Sequence, residues 1–124
     1  FEQKAVDVVP KADGKYTFRA QLENGGWKVY LLTDSKPGGL NLKSDLEKDT
    51  LKLHVKINSE SGGLFKAAVP LKITVAGENR TATVYRATNQ GKLEMSLPLC
   101  DYIRNVKSVQ VQEMLTGMSI QSSM

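Results

Sequence analysis

Few side chains in this chain could do chemistry, and those few are thinly spread. His54 is the only histidine and Cys100 the only cysteine. A thiolate nucleophile needs a base beside it, usually imidazole, so a dyad would require the fold to bring these two together. Cys100 lies in the run Leu97-Pro98-Leu99-Cys100-Asp101-Tyr102, an apolar setting that fits a buried, inert thiol. His54 alternates with Lys52 and Lys56, which fits a solvated strand position. A metal site would need further ligands. There is no second histidine, no paired cysteine and no calcium-loop pattern, so neither a metal nor a cofactor is expected. Asp45, Glu47 and Asp49 form an acidic cluster. Two carboxylates in unlike environments can divide acid and base work, but Lys43 and Lys48 are close by and a solvated charged segment is the simpler reading. Asn79-Arg80-Thr81 matches the N-glycosylation acceptor, which matters only if the source secretes through an endoplasmic reticulum. Ser35-Lys36-Pro37-Gly38-Gly39 lacks the phosphate-binding loop pattern. The expectation is a protein that is not an enzyme.

Composition bounds the rest. With 124 residues, 40% apolar and 24% charged, the chain is a single domain, residues 1–124, that needs no metal or disulfide to fold. No run reaches the ~18 apolar residues that a membrane span requires. The net charge of +4 comes from 17 basic and 13 acidic residues and is scattered. Lys48, Lys52 and Lys56 around His54 come nearest to a patch, and no stacking aromatics accompany them, which argues against nucleic acid. One cysteine excludes an intrachain disulfide; that suits the cytosol or a bacterial periplasmic or surface protein and would be unusual in a eukaryotic secreted domain. The first residue is Phe1, so the chain is expected to be an excised domain or a mature exported protein.

The elements that must position these residues are strands. Thr50 to Leu97 alternates apolar and polar residues in four segments, with Gly, Asn or Ser at each break. Leu51, Leu53, Val55 and Ile57 fall on one face, then Leu71, Ile73 and Val75, then Ala82 and Val84, then Leu93, Met95 and Leu97. Period two of this kind predicts strands with one buried face. Upstream, Lys15 to Leu22 alternates Tyr16, Phe18, Ala20 and Leu22, and Glu23-Asn24-Gly25-Gly26 turns the chain into Trp27 to Leu32. Pro10 ends a weaker strand that belongs on a sheet edge. Val109 and Val111 mark a last strand, and residues 117–124 are expected to be a frayed tail. Thr33 to Asp49 is the least β-like stretch, predicted as a long loop with room for one helical turn near Ser44. The total is about eight strands at the turn spacing of sandwiches and barrels; the expected fold is an all-β, antiparallel Greek-key β-sandwich, immunoglobulin-like in class by resemblance. Tyr102, in the connection before the last strand, is placed where such sandwiches bond a tyrosine hydroxyl back to the backbone.

Three motifs carry a family resemblance: Ala68-Val69-Pro70-Leu71-Lys72-Ile73-Thr74-Val75, Thr81-Ala82-Thr83, and Thr88-Asn89-Gln90-Gly91-Lys92-Leu93-Glu94-Met95-Ser96-Leu97. Over Thr50 to Leu97 the chain resembles the bacterial immunoglobulin-like repeats of invasin and intimin type. It departs from them in its first half and at Leu64-Phe65. The resemblance implies a spacer, adhesin or assembly module and no particular ligand.

The expected function is a non-enzymatic, exported binding, adhesion or spacer module, periplasmic or at the cell surface. It would act by protein–protein contacts through an edge strand or end loops, with another protein as partner, and could sit in a larger multidomain chain or assembly. The alternative is a small periplasmic inhibitor or assembly partner of another envelope protein. The predicted binding residues are Trp27, Tyr30, Asp34, Lys36, Asp45 and Lys48, on or beside the long loop.

Overall fold

The computed structural model describes residues 9–10, 16–17, 22, 24–26, 33 and 35–124. Its strands in chain order are β1 (Val9–Pro10), β2 (Tyr16–Thr17), β3 (Pro37–Glu47), β4 (Thr50–Ser59), β5 (Pro70–Ala76), β6 (Thr81–Ala87), β7 (Lys92–Pro98), β8 (Ser108–Glu113) and β9 (Ser119–Ser123). β1 and β2 form a short antiparallel ladder of their own. The other seven strands make two antiparallel sheets, in the orders β3-β4-β7 and β6-β5-β8-β9. No described residue is helical. The fold is all-β and consistent with a sandwich.

The core lies where the two alternating patterns meet. Leu51, Leu53, Val55 and Ile57 from β4 are buried against Leu71, Ile73 and Val75 from β5 and Val109 and Val111 from β8. Each is no more than 1% exposed, as expected for the inward period-two positions of central strands. Phe65, Val69, Leu99, Ile103 and Val106 close the ends from the connections.

Two sequence expectations are corrected. The stretch predicted as a loop, Thr33 to Asp49, contains β3, an eleven-residue strand paired with β4 from Pro37↔Ser59 to Glu47↔Thr50. No helical turn forms at Ser44; it occupies an inward slot between Leu42 and Leu46. The tail expected to fray instead supplies β9, paired with β8 from Ser108↔Ser123 to Gln112↔Ser119. The same contact underlies both differences. β3 and β9 are the edges of opposite sheets, and they meet through hydroxyls, with Ser44 Oγ donating to Ser122 Oγ at 3.3 Å. Ser44 and Ser122 interrupt the apolar alternation that Leu40, Leu42 and Leu46 begin on β3 and Ile120 on β9.

At the other side the chain crosses from β6 in one sheet to β7 in the other. Thr88, 3% exposed, fastens this crossing. Its hydroxyl donates to Ala67 O (2.8 Å) and accepts the Val69 N–H (2.9 Å). Thr88→Val keeps the shape and removes both bonds. A stability loss of roughly 1–2 kcal/mol is expected, read as a lower urea midpoint at unchanged slope.

Candidate functional site

The outer face of β3-β4-β7 carries most of the ionisable residues singled out by the sequence. The register aligns Lys43, His54 and Glu94 in one rung, Asp45, Lys52 and Ser96 in the next, and Asn41, Lys56 and Lys92 in a third. His54 is exposed and its Nδ1 stands 3.4 Å from Glu94 Oε1. Lys52 Nζ donates to Glu47 Oε2 at 2.7 Å. That hydrogen bond, reinforced by the charge attraction, holds the Glu47 carboxyl below its ordinary range and lifts the Lys52 ammonium above its own. Both groups are solvent-screened, so the pair organises the surface and adds little stability.

Of the six predicted binding residues, Lys36, Asp45 and Lys48 lie among the described residues, and these three do not converge. Trp27, Tyr30 and Asp34 lie outside the described residues. Lys36 precedes β3 and Lys48 follows it, in the turn into β4 with φ of 52°. An eleven-residue strand between them spans roughly 35 Å. Asp45 is on the outer face, paired across from Lys52. The stretch predicted as a loop is a strand that holds Lys36 and Lys48 apart.

Cys100 is exposed, not buried as its apolar neighbours suggest. The chain turns sharply there, with positive φ at both Cys100 (47°) and Asp101 (59°), so the thiol is carried outward at the sheet end. It lies beyond the Thr50↔Pro98 rung, four rungs from His54 along β4. At ~3.4 Å per residue that rung is roughly 14 Å from His54, so the register places His54 well away from the end of the sheet that carries the thiol. Among the described residues no group of three or more His, Cys, Asp or Glu is placed to hold a metal ion. No helix among them is long and apolar enough to cross a membrane.

One end of the fold is knitted by polar contacts. Asn79 donates from Nδ2 to Tyr102 O (2.9 Å) and accepts the Arg104 N–H at Oδ1 (2.8 Å). The amide of the sequon asparagine is thus already engaged. Asn105 Nδ2 donates to Glu78 Oε2 at 2.6 Å. Tyr102 is 57% exposed and its hydroxyl makes no hydrogen bond among the described residues, contrary to the expected link to the backbone. Its ring instead lies under the Arg80 guanidinium, 4.3 Å from centroid to Cζ. A cation over an aromatic face is favourable even when exposed.

The remaining candidate is the side of the fold where the sheets end in β7 and β6. Neither strand has a further neighbour among the described residues. Their inward side chains, Ala82 and Val84 on β6 and Leu93, Met95 and Leu97 on β7, pack against the core but stay only partly buried. The sequence identifies these inward faces correctly. It carries no signal that both strands end their sheets, because edge position depends on pairing order and not on the local pattern. The chain matches no protein-family model, no curated protein and no solved structure.

Proposed function

We propose that this chain is a non-enzymatic, exported binding, adhesion or spacer module of immunoglobulin-like type. It engages another protein by adding a strand at the β6 or β7 edge. The observation that carries this reading is the pair of edges: two consecutive strands, in different sheets, each without a further neighbour among the described residues on one side and with half-buried apolar residues beneath. An added strand would satisfy the main-chain donors and acceptors and finish the burial of Val84 and Met95. The separation of His54 from Cys100 supports the non-enzymatic part.

Inward-pointing lysine on an edge strand is a common natural block to strand addition, and its long stem lets the ammonium reach water. Val84→Lys and Met95→Lys therefore test the proposal. Immobilised protein is expected to retain a partner from the envelope fraction of its source cell. Binding should slow amide exchange along Thr81–Ala87 or Lys92–Pro98, and one of the two lysine variants should release the partner. Retention undiminished in both variants, or no slowed exchange in either strand, would refute strand addition.

A further inference from the structure

The two sheets present unlike outer faces. On β6-β5-β8-β9 the register builds three complete rungs: Tyr85–Lys72–Gln112–Ser119, Thr83–Thr74–Gln110–Gln121 and Thr81–Ala76–Ser108–Ser123. Lys72 is the one ionisable amine among these positions, and the rest are hydroxyls, amides, one alanine and one tyrosine. The opposite sheet crowds lysines, carboxylates and His54 onto the same kind of grid. Among the described residues, only Gln112 of the neutral face uses its side-chain amide internally, donating to Gly117 O at 3.3 Å. The hydroxyls and the other amides are exposed or half-exposed, and none of these side chains makes a hydrogen bond among the described residues. Tyr85 is 60% exposed at one margin of the patch.

We propose that this face is a binding surface for a neutral polysaccharide, with Tyr85 as the stacking platform. Hydroxyls and carboxamides each offer both donors and acceptors, as sugar hydroxyls do, and none of them loses a charge's hydration on contact. The exposed phenol ring is an apolar plate with a polar tip, suited to the C–H face of a pyranose. With strands ~4.8 Å apart and alternate residues ~6.8 Å apart, the three rungs cover a patch about 14 Å on a side. That accommodates a short run of sugar rings and not a single one. Other occupants fit less well. A nucleic acid or an anionic polymer would find one amine. A protein interface centre is aromatic and aliphatic, and here no aliphatic side chain exceeds Ala76. The patch includes the outward side chains of β6 but does not use that strand's free main-chain edge, so this inference does not depend on strand addition.

Native affinity electrophoresis through gels holding galactomannan, xyloglucan, dextran or soluble starch tests it, with polygalacturonate as the charged control. At least one neutral polymer should retard the intact protein and polygalacturonate should not. Tyr85→Ala should weaken retardation about tenfold, and Gln110→Ala should weaken it further. His54→Ala on the opposite face should change nothing, and all three should melt with the wild type. Absence of retardation by every neutral polymer overturns the proposal. So does equal retardation of Tyr85→Ala. Sedimentation showing that Tyr85→Ala converts a dimer to a monomer would overturn it in favour of a second copy of the chain.

Discussion

Gly91→Ala is expected to lower the stability of the fold by about 3 kcal/mol, one of the two largest single-site losses foreseen for this chain. Gly91 sits at the crossing between β6 and β7 with φ of 82°. Its carbonyl accepts the Ile57 N–H at 2.9 Å and its own N–H donates to Ala67 O at 3.2 Å. It therefore ties β4 to the connection before β5. A Cβ there would stand 2.5 Å from Phe65 O, and Phe65 is itself held by its N–H bond to Ile57 O. Two costs combine: a left-handed backbone with a side chain, roughly 1–2 kcal/mol, and a backbone clash worth a similar amount. Gly62→Ala separates them, since Gly62 has φ of 93° and a methyl added there would meet nothing within 4 Å. Urea titration should show Gly62→Ala costing only the first part. Equal losses for the two variants would mean that the Phe65 carbonyl yields freely.

Glu113→Ala should cost about as much, roughly 3 kcal/mol, by a different route. Glu113 is 0% exposed and pairs across from Leu71 at the end of β8. Its Oε1 accepts the Thr116 N–H (2.6 Å), the Thr116 hydroxyl (2.6 Å) and the Gly117 N–H (2.9 Å). One buried oxygen thus organises the whole turn from β8 into β9. Oε2 has no hydrogen-bond partner among the described residues. Truncation strands the turn donors and leaves a void beside Leu71. Glu113→Gln keeps an oxygen for the donors and should cost less. The local signature is amide exchange: β9 should lose protection before β4 or β5 does. If alanine and glutamine destabilised equally, the Oε1 contacts would not be what holds the turn.

The central strands are legible in the sequence because their neighbours on both sides are apolar. Leu51 to Ile57, Leu71 to Val75 and Val109 to Val111 are inward by alternation and buried in the structure. The turn at Asn89-Gln90-Gly91 is equally clear, since Gly91 needs the left-handed backbone that glycine favours. β3 and β9 are hidden because Ser44 and Ser122 fill the slots that would have completed their alternation. Glu113 is hidden for a related reason. A carboxylate in an inward position reads as the end of a buried face, and only the turn it serves explains its burial. Cys100 and Tyr102 depart from expectation because side-chain direction there follows positive-φ backbone and a partner, Arg80, from a distant turn. The stretch predicted as a loop contains β3, and the aromatic residues expected beside it, Trp27 and Tyr30, fall outside the described residues.

The strand order also sets when the domain can exist. β3 with β4, and β5 with β6, are hairpins closed by nearby turns. Among the described strands, each gains its third strand from the last part of the chain, β7 for one sheet and β8 for the other. A ribosome that has released the chain as far as Gly91 has therefore produced, among the described strands, only separate two-stranded ribbons, which are marginal in water. The roughly thirty residues that follow turn both ribbons into sheets and bring their inner faces together in one step. Cooperativity in this molecule is a property of its final segment.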